Sequence, residues 1–243
     1  MVTLGILPAV IAKTQGEMDD VLGKVFECSD CFHLDVMDGK FVSNESLNFD
    51  FQLPKPRSEE RGKPRVGKLD AAQHTMHHDF ELKNNEKKYE AHLMVQHPLE
   101  WIEKYGDKAD IITFHFECSD DIGSVIAAIR KKGKKAGLAI NPGTGIKAIE
   151  KFVPEVDRIV VMSVHPGQYG ALFLPEMQEK IKQLRLKFPD LDIESDGGVT
   201  DKTIAGLAKA GSNLFVSGSY IQRHPDPKAA VETLKKLASN LSS

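Results

Sequence analysis

Short apolar runs recur along the chain, at 2–7, 32–37, 90–95, 110–116, 135–140, 158–164, 191–196 and 214–218. Between many of them, apolar residues return every three or four positions. Residues 15–27 carry Met18, Val21, Leu22 and Val25 on one helical face, and 121–132 carry Ile122, Val125, Ile126 and Ile129. The stretches 175–187, 201–210 and 226–241 repeat the pattern. Short buried runs predict strands, and the 3.6-residue period predicts helices. Their alternation predicts a parallel sheet. Eight units in 243 residues suit a closed barrel, which takes about 250. The expected fold class is therefore α/β, a single-domain (β/α)8 TIM barrel spanning 1–243. A stretch rich in charge, Pro and Gly interrupts the rhythm from 54 to 70. It predicts a surface insertion at 54–80, a charged loop after the second strand. His74, His77 and His78 lie within it and read as surface histidines.

Four residues close apolar runs in a way that core packing does not explain. They are His33 and Asp35 in His33-Leu-Asp35-Val-Met37-Asp38-Gly39, His92 in His92-Leu-Met94-Val95, and Asp196 in Asp196-Gly197-Gly198. Strand side chains alternate faces, so His33, Asp35 and Met37 share one face, as do His92 and Met94. In a barrel they face the interior near the C-terminal mouth, where barrel enzymes place their sites. One inward His or Asp is ordinarily a hydrogen-bonded core residue. Four on three strands are another matter, because two buried carboxylates need a cation or a proton. Two imidazoles and two carboxylates suit one divalent ion such as Zn, Fe, Mn or Co better than Ca or Mg. Asp35 and Asp196, from different parts of the wall, can flank a substrate and exchange protons with its two faces.

The loops after the seventh and eighth runs carry Gly197 and Gly198, and Ser217-Gly218-Ser219. Barrels often hold a phosphate there with bare backbone amides, although either loop alone reads as an ordinary turn. His165-Pro-Gly167-Gln168-Tyr169-Gly170 reads as a flap after the sixth run. Met37, Met94 and Met162 all precede mouth loops. Ordinary core packing is the plain reading of such methionines; at the mouth they can also form an apolar lid. His115 and Glu117 read either as a pair beside the metal or as barrel filling.

Charge and cysteines narrow the class. With 32 basic and 35 acidic residues, the net charge of −3 gives no electrostatic reason to expect a nucleic-acid or membrane partner. No apolar run nears the ~18 residues of a membrane span, and the first residues read as a strand rather than a signal peptide. Three cysteines make no disulfide framework. Cys28 and Cys31 have redox spacing without a supporting context. The expected protein is soluble, reduced and cytoplasmic.

Five ordered motifs now stand out: His-Leu-Asp-Val-Met-Asp-Gly at 33–39, Ala-His-Leu-Met-Val at 91–95, Asn-Pro-Gly-Thr at 141–144, Val-Met-Ser-Val-His-Pro-Gly at 161–167 and Ser-Asp-Gly-Gly-Val at 195–199. Together the chain resembles the ribulose-phosphate 3-epimerase family over nearly its whole length. The resemblance implies a homo-oligomer that interconverts D-ribulose 5-phosphate and D-xylulose 5-phosphate through an enediolate. It implies metal ligation by His33, Asp35, His92 and Asp196, with Asp35 and Asp196 as the acid/base pair. It also implies a phosphorylated ketose bound by Met37, Met94, Met162, Gly167, Gly170, Gly197, Gly198, Gly218 and Ser219. Three features depart from the family pattern: Gly5 and Pro8 on the first strand, Gln168-Tyr169 in the flap, and the 59 positions between His33 and His92. They leave open a ketohexose 6-phosphate such as allulose 6-phosphate, or a non-catalytic sugar-phosphate-binding barrel. A decarboxylase of related fold is disfavoured, because Asp35-Val36-Met37-Asp38 lacks the lysine expected there.

Overall fold

The computed structural model describes residues 3–54, 87–167 and 172–240. Eight parallel strands form the barrel: β1 (Gly5–Val10), β2 (Cys31–Asp38), β4 (Lys88–Met94), β5 (Ile111–His115), β6 (Lys135–Ile140), β7 (Arg158–Met162), β8 (Asp192–Asp196) and β9 (Leu214–Ser217). They follow one another around the ring, and β1 pairs with both β9 and β2 to close it. A two-residue strand, β3 (Glu45–Ser46), folds back antiparallel on Met37 and Asp38. The expected barrel is thus present. Of the insertion expected at 54–80, all but Pro54 lies outside the described residues, as do His74, His77 and His78.

Helices fill the outside: α1 (Gln15–Val25), α2 (Pro98–Tyr105), α3 (Ile122–Lys131), α4 (Ile146–Ile149), α5 (Met177–Lys187), α6 (Ile204–Ala210), α7 (Ser219–Gln222) and α8 (Pro227–Ser239). Side-chain oxygens of Thr14, Asp121 and Asp226 accept first-turn amide protons and fix the starts of α1, α3 and α8. The strand period of two then sorts the residues. Phe32, Leu34 and Val36 of β2, with Ala91, Leu93, Ile112 and Phe114, face the helices and join one continuous apolar core. The inner face carries only small apolar clusters, such as Leu7, Ala9, Leu214 and Val216, or Ala139, Val160 and Met162. Polar side chains occupy the rest of the barrel's interior.

The first strand corrects the sequence reading. The apolar run at 2–7 placed the first strand there, yet β1 runs from Gly5 to Val10. Pro8 cannot donate to a ladder, but it sits where pairing with β9 ends and pairing with β2 begins, at Ala9. The shift changes which residues meet the cavity. Gly5 lies low against Leu214, and Pro8 alternates to the outer face. The residues of this segment that line the cavity are Ala9, Ile11 and Lys13.

Gly197 and Gly198 follow β8 with φ of 106° and 65°. A Cβ on Gly197 would lie 2.4 Å from Val164 Cγ2. Gly197→Ala should therefore lower the unfolding free energy by about 1–3 kcal/mol, read from urea denaturation. An unchanged midpoint would mean that the loop tolerates a side chain.

Candidate metal and acid–base site

Four side chains from three strands meet at the barrel mouth. His33 and Asp35 come from β2, His92 from β4 and Asp196 from the end of β8. The registers Asp35↔His92 and Met37↔Met94 set the first two strands level. His33 Nε2 lies 3.1 Å from His92 Nδ1, 3.5 Å from Asp35 Oδ1 and 3.7 Å from Asp196 Oδ2. His92 Nδ1 is 3.3 Å from both carboxylates. Two ring nitrogens this close, each also near two carboxylate oxygens, describe a converging donor set. Ligands about 2.0–2.1 Å from a tetrahedral ion lie about 3.3 Å from one another, so these residues fit a divalent cation. Both imidazoles are wholly buried, whereas Asp35 and Asp196 keep 6% and 9% exposure. A molecule in the cavity therefore meets the carboxylates.

Without a metal, protons do the balancing. Burial disfavours the charged imidazoles, but the carboxylates outweigh it. His33 titrates well above the usual histidine range, and contacts with Asp196 and Asp35 raise His92 to about 9. Burial also pushes Asp35 up, and the two rings more than reverse this, leaving it at about 2. On the far side of His92, Nε2 lies 2.9 Å from His115 Nε2. His115 Nδ1 sits 3.3 Å from Glu117 Oε2. Glu117 in turn accepts from the Asn141 amide and the Thr144 hydroxyl. Of the two readings of His115 and Glu117, the geometry favours the pair beside the ligands. Burial lowers the His115 pKa, which disfavours its protonated form.

Above the donors opens a cavity of about 590 Å³, within the usual range for small-molecule sites. Met37, Met94, Met162, Val164 and Val216 give it apolar walls around Asp35 and Asp196, and Gly167, Gly197, Gly198, Gly218 and Ser219 line it too. Gly170, with Gln168 and Tyr169, lies outside the described residues. The loop after β7 rests on the loop after β2. A Cβ on Gly167 would strike Val42, and Asn44 donates to the Gly167 carbonyl. Asp38 shapes that second loop by accepting the amides of Lys40, Phe41 and Gln96.

Sequence reasoning missed two groups. Lys13 and Lys202 also line the cavity; each is a single lysine in a polar loop, with no pattern to mark it. Glu90, Thr113, Arg158 and Glu194 are buried inside the barrel beneath the donors. Their signal was available, since Glu90, Thr113 and Glu194 precede His92, His115 and Asp196 by two residues and so share their faces. The redox spacing of Cys28 and Cys31 leads nowhere, because burial pushes the Cys31 thiol up to about 12.

Known proteins resemble this chain in sequence and in fold. The ribulose-phosphate 3 epimerase family profile matches residues 74–222. A ribulose-phosphate 3-epimerase of Candida glabrata is 33% identical over 95% of this chain and 91% of its own. A rice protein named as the cytoplasmic isoform of that enzyme is 34% identical, over 86% of this chain and 82% of its own. In fold, a crystal structure of 3-hexulose-6-phosphate synthase from Salmonella typhimurium matches 98% of this chain and all of its own. Its TM-score is 0.62 at 16% identity. The chain belongs to the ribulose-phosphate 3-epimerase family.

Proposed function

We propose that this protein is a metal-dependent epimerase that inverts C3 of a ketose phosphate, converting D-ribulose 5-phosphate to D-xylulose 5-phosphate. The observation that carries the reading is the convergence of Asp35 and Asp196, from well-separated staves, on one set of donors at the cavity floor. Family membership supports the same chemistry. His33, Asp35, His92 and Asp196 would hold the divalent ion, whether Zn, Fe, Mn or Co. When bound, such an ion polarises the substrate carbonyl and stabilises the negative charge of an enediolate. Asp35 removes the C3 proton from one face, and Asp196 returns a proton to the other. The reverse reaction exchanges their roles. Met37, Met94 and Met162 exclude water from the reacting carbon. Amides around Gly197, Gly198, Gly218 and Ser219 bind the phosphate, and Gly167 and Gly170 complete the expected substrate-binding set. Lys13 and Lys202 add positive charge to the cavity wall.

The wall at Ala9 and Ile11 favours a second reading. It offers no hydroxyl or amide side chain to fix a pentose, so a ketohexose 6-phosphate is the alternative substrate. The rice relative's name supports a cytoplasmic setting, and among the described residues no helix is long and apolar enough to cross a membrane. Homo-oligomerisation belongs to the same proposal and is read by light scattering on the eluted protein.

In D₂O, metal-loaded protein should place deuterium at C3 of ribulose 5-phosphate as xylulose 5-phosphate forms, followed by NMR. Asp196→Asn should slow turnover by about 10²–10⁴-fold. Exchange with allulose 6-phosphate but not with the pentose would select the second reading, and silence with both would leave a binding protein. Metal binding carries its own prediction. His33 and His92 hold protons in the metal-free site, and a cation must displace them. Zinc binding at pH 7 should therefore release protons, and its affinity should climb as pH rises toward about 9. Calorimetry in two buffers of different ionisation enthalpy measures this; zero release would remove the imidazoles from the ligand set.

A further inference from the structure

Beneath the donor set lies a second polar layer. Glu90 on β4 and Glu194 on β8 are fully buried, Thr113 on β5 likewise, and Arg158 on β7 is 8% exposed. Arg158 Nη1 donates to Glu90 Oε2 and, at 2.8 Å, to Glu194 Oε2. Thr113 Oγ1 donates to Glu90 Oε1 at 2.5 Å. The barrel leaves room for this arrangement at Gly137 on β6. A Cβ there would lie 2.1 Å from Thr113 Oγ1 and 3.1 Å from Arg158 Cγ.

Glu90, Glu194 and His33 also bring one donor atom each close enough together to suggest a second cation site. The guanidinium already bridges the two carboxylates, so Arg158 is the cation of this layer.

Two atoms of the layer remain uncommitted, Arg158 Nε and Glu194 Oε1. Glu194 Oε1 has no hydrogen-bond partner, and neither does His33 Nδ1. The two lie 3.2 Å apart, the ring turned out of line for a bond. The other nitrogen of the same ring, Nε2, is the one that faces His92, Asp35 and Asp196. Histidines that bind metals usually donate their second N–H to a carboxylate or carbonyl, which fixes the tautomer and the ring's orientation. We propose that Glu194, anchored by Arg158, is the positioning residue of His33: its carboxylate accepts a hydrogen bond from Nδ1–H, which leaves the Nε2 lone pair to face the metal. Glu90, at 3.8 Å from Nδ1 and committed to Arg158 and Thr113, neutralises the guanidinium and leaves Glu194 free to face the ring. This inference rests on the metal reading above and goes beyond it, since neither Glu194 nor Arg158 touches substrate or metal.

The test is zinc affinity, measured by competition with a chromophoric chelator on metal-free protein. Wild type is compared with Glu194→Gln, Arg158→Met and Thr113→Val, with circular dichroism melts reporting whether each folds. Glu194→Gln should weaken zinc by about 10–100-fold, the usual effect of losing such a partner. Thr113→Val disturbs the same layer without touching His33 and should stay within about threefold of wild type. Arg158→Met strands two buried carboxylates and is expected to melt lower; if it folds, its zinc affinity should fall with that of Glu194→Gln. In zinc-loaded protein with ¹⁵N-labelled histidine, wild type should show a slowly exchanging His33 Nδ1–H proton that shifts or vanishes in Glu194→Gln. Tight zinc binding by wild type and Glu194→Gln alike would overturn this proposal and leave the metal site standing. Equal losses in Glu194→Gln and Thr113→Val would reduce the layer to packing. No zinc binding by wild type would instead remove the metal reading itself.

Discussion

Charge balance inside the barrel is the constraint on which the rest depends. Asp35, Asp196, Glu90 and Glu194 are all buried there, and among the described residues Arg158 is their one buried lysine or arginine neighbour. One guanidinium cannot neutralise four carboxylates. Isolated buried charges are too costly to persist, so further positive charge has to enter, as imidazolium protons or as a divalent ion. Both solutions use the same nitrogens. Apolar residues fill the interior only where the polar layers leave gaps, whereas the outer face of the sheet supplies the continuous core. The barrel is thus stabilised from outside, which frees its interior for chemistry.

The mouth shows how that interior is kept selective. Methionines and valines surround the two exposed carboxylate edges, while glycine-rich loops after β8 and β9 line the rest of the cavity. Walls of this kind keep water away from the two carboxylates. The loops after β2 and β7 brace one another through Val42, Asn44 and Gly167, so the rim is held by contacts that cross the opening.

Much of this was legible in the sequence because barrels obey simple periods. Eight apolar runs, and His33, Asp35 and Met37 on alternate positions, predict both the staves and the convergence of polar side chains at the mouth. Helices without long periodic stretches, such as α4 and α7, escaped notice. The first strand was placed too early because it was read from the apolar run at 2–7, and only the pairing of β1 with two neighbours shows how far it extends. The lower polar layer escaped for a different reason. Glu90, Arg158 and Glu194 lie 36 to 104 positions apart in sequence, and single charges in apolar runs resemble edge residues. Their partnership exists only once the ring is closed.

That closure is itself informative. The ring is completed by β1, which pairs with β9 over four registers and with β2 over two, beside His33. The strands at this seam are separated by almost the whole chain, and such distant pairing is slow to form. Asp196 stands on β8, three staves from β2 across the seam. During synthesis His33, Asp35, His92 and Asp196 therefore cannot converge until nearly the whole chain has emerged. A metal taken up with full affinity would mark the finished barrel, and by favouring the closed form it would draw late folding events toward completion.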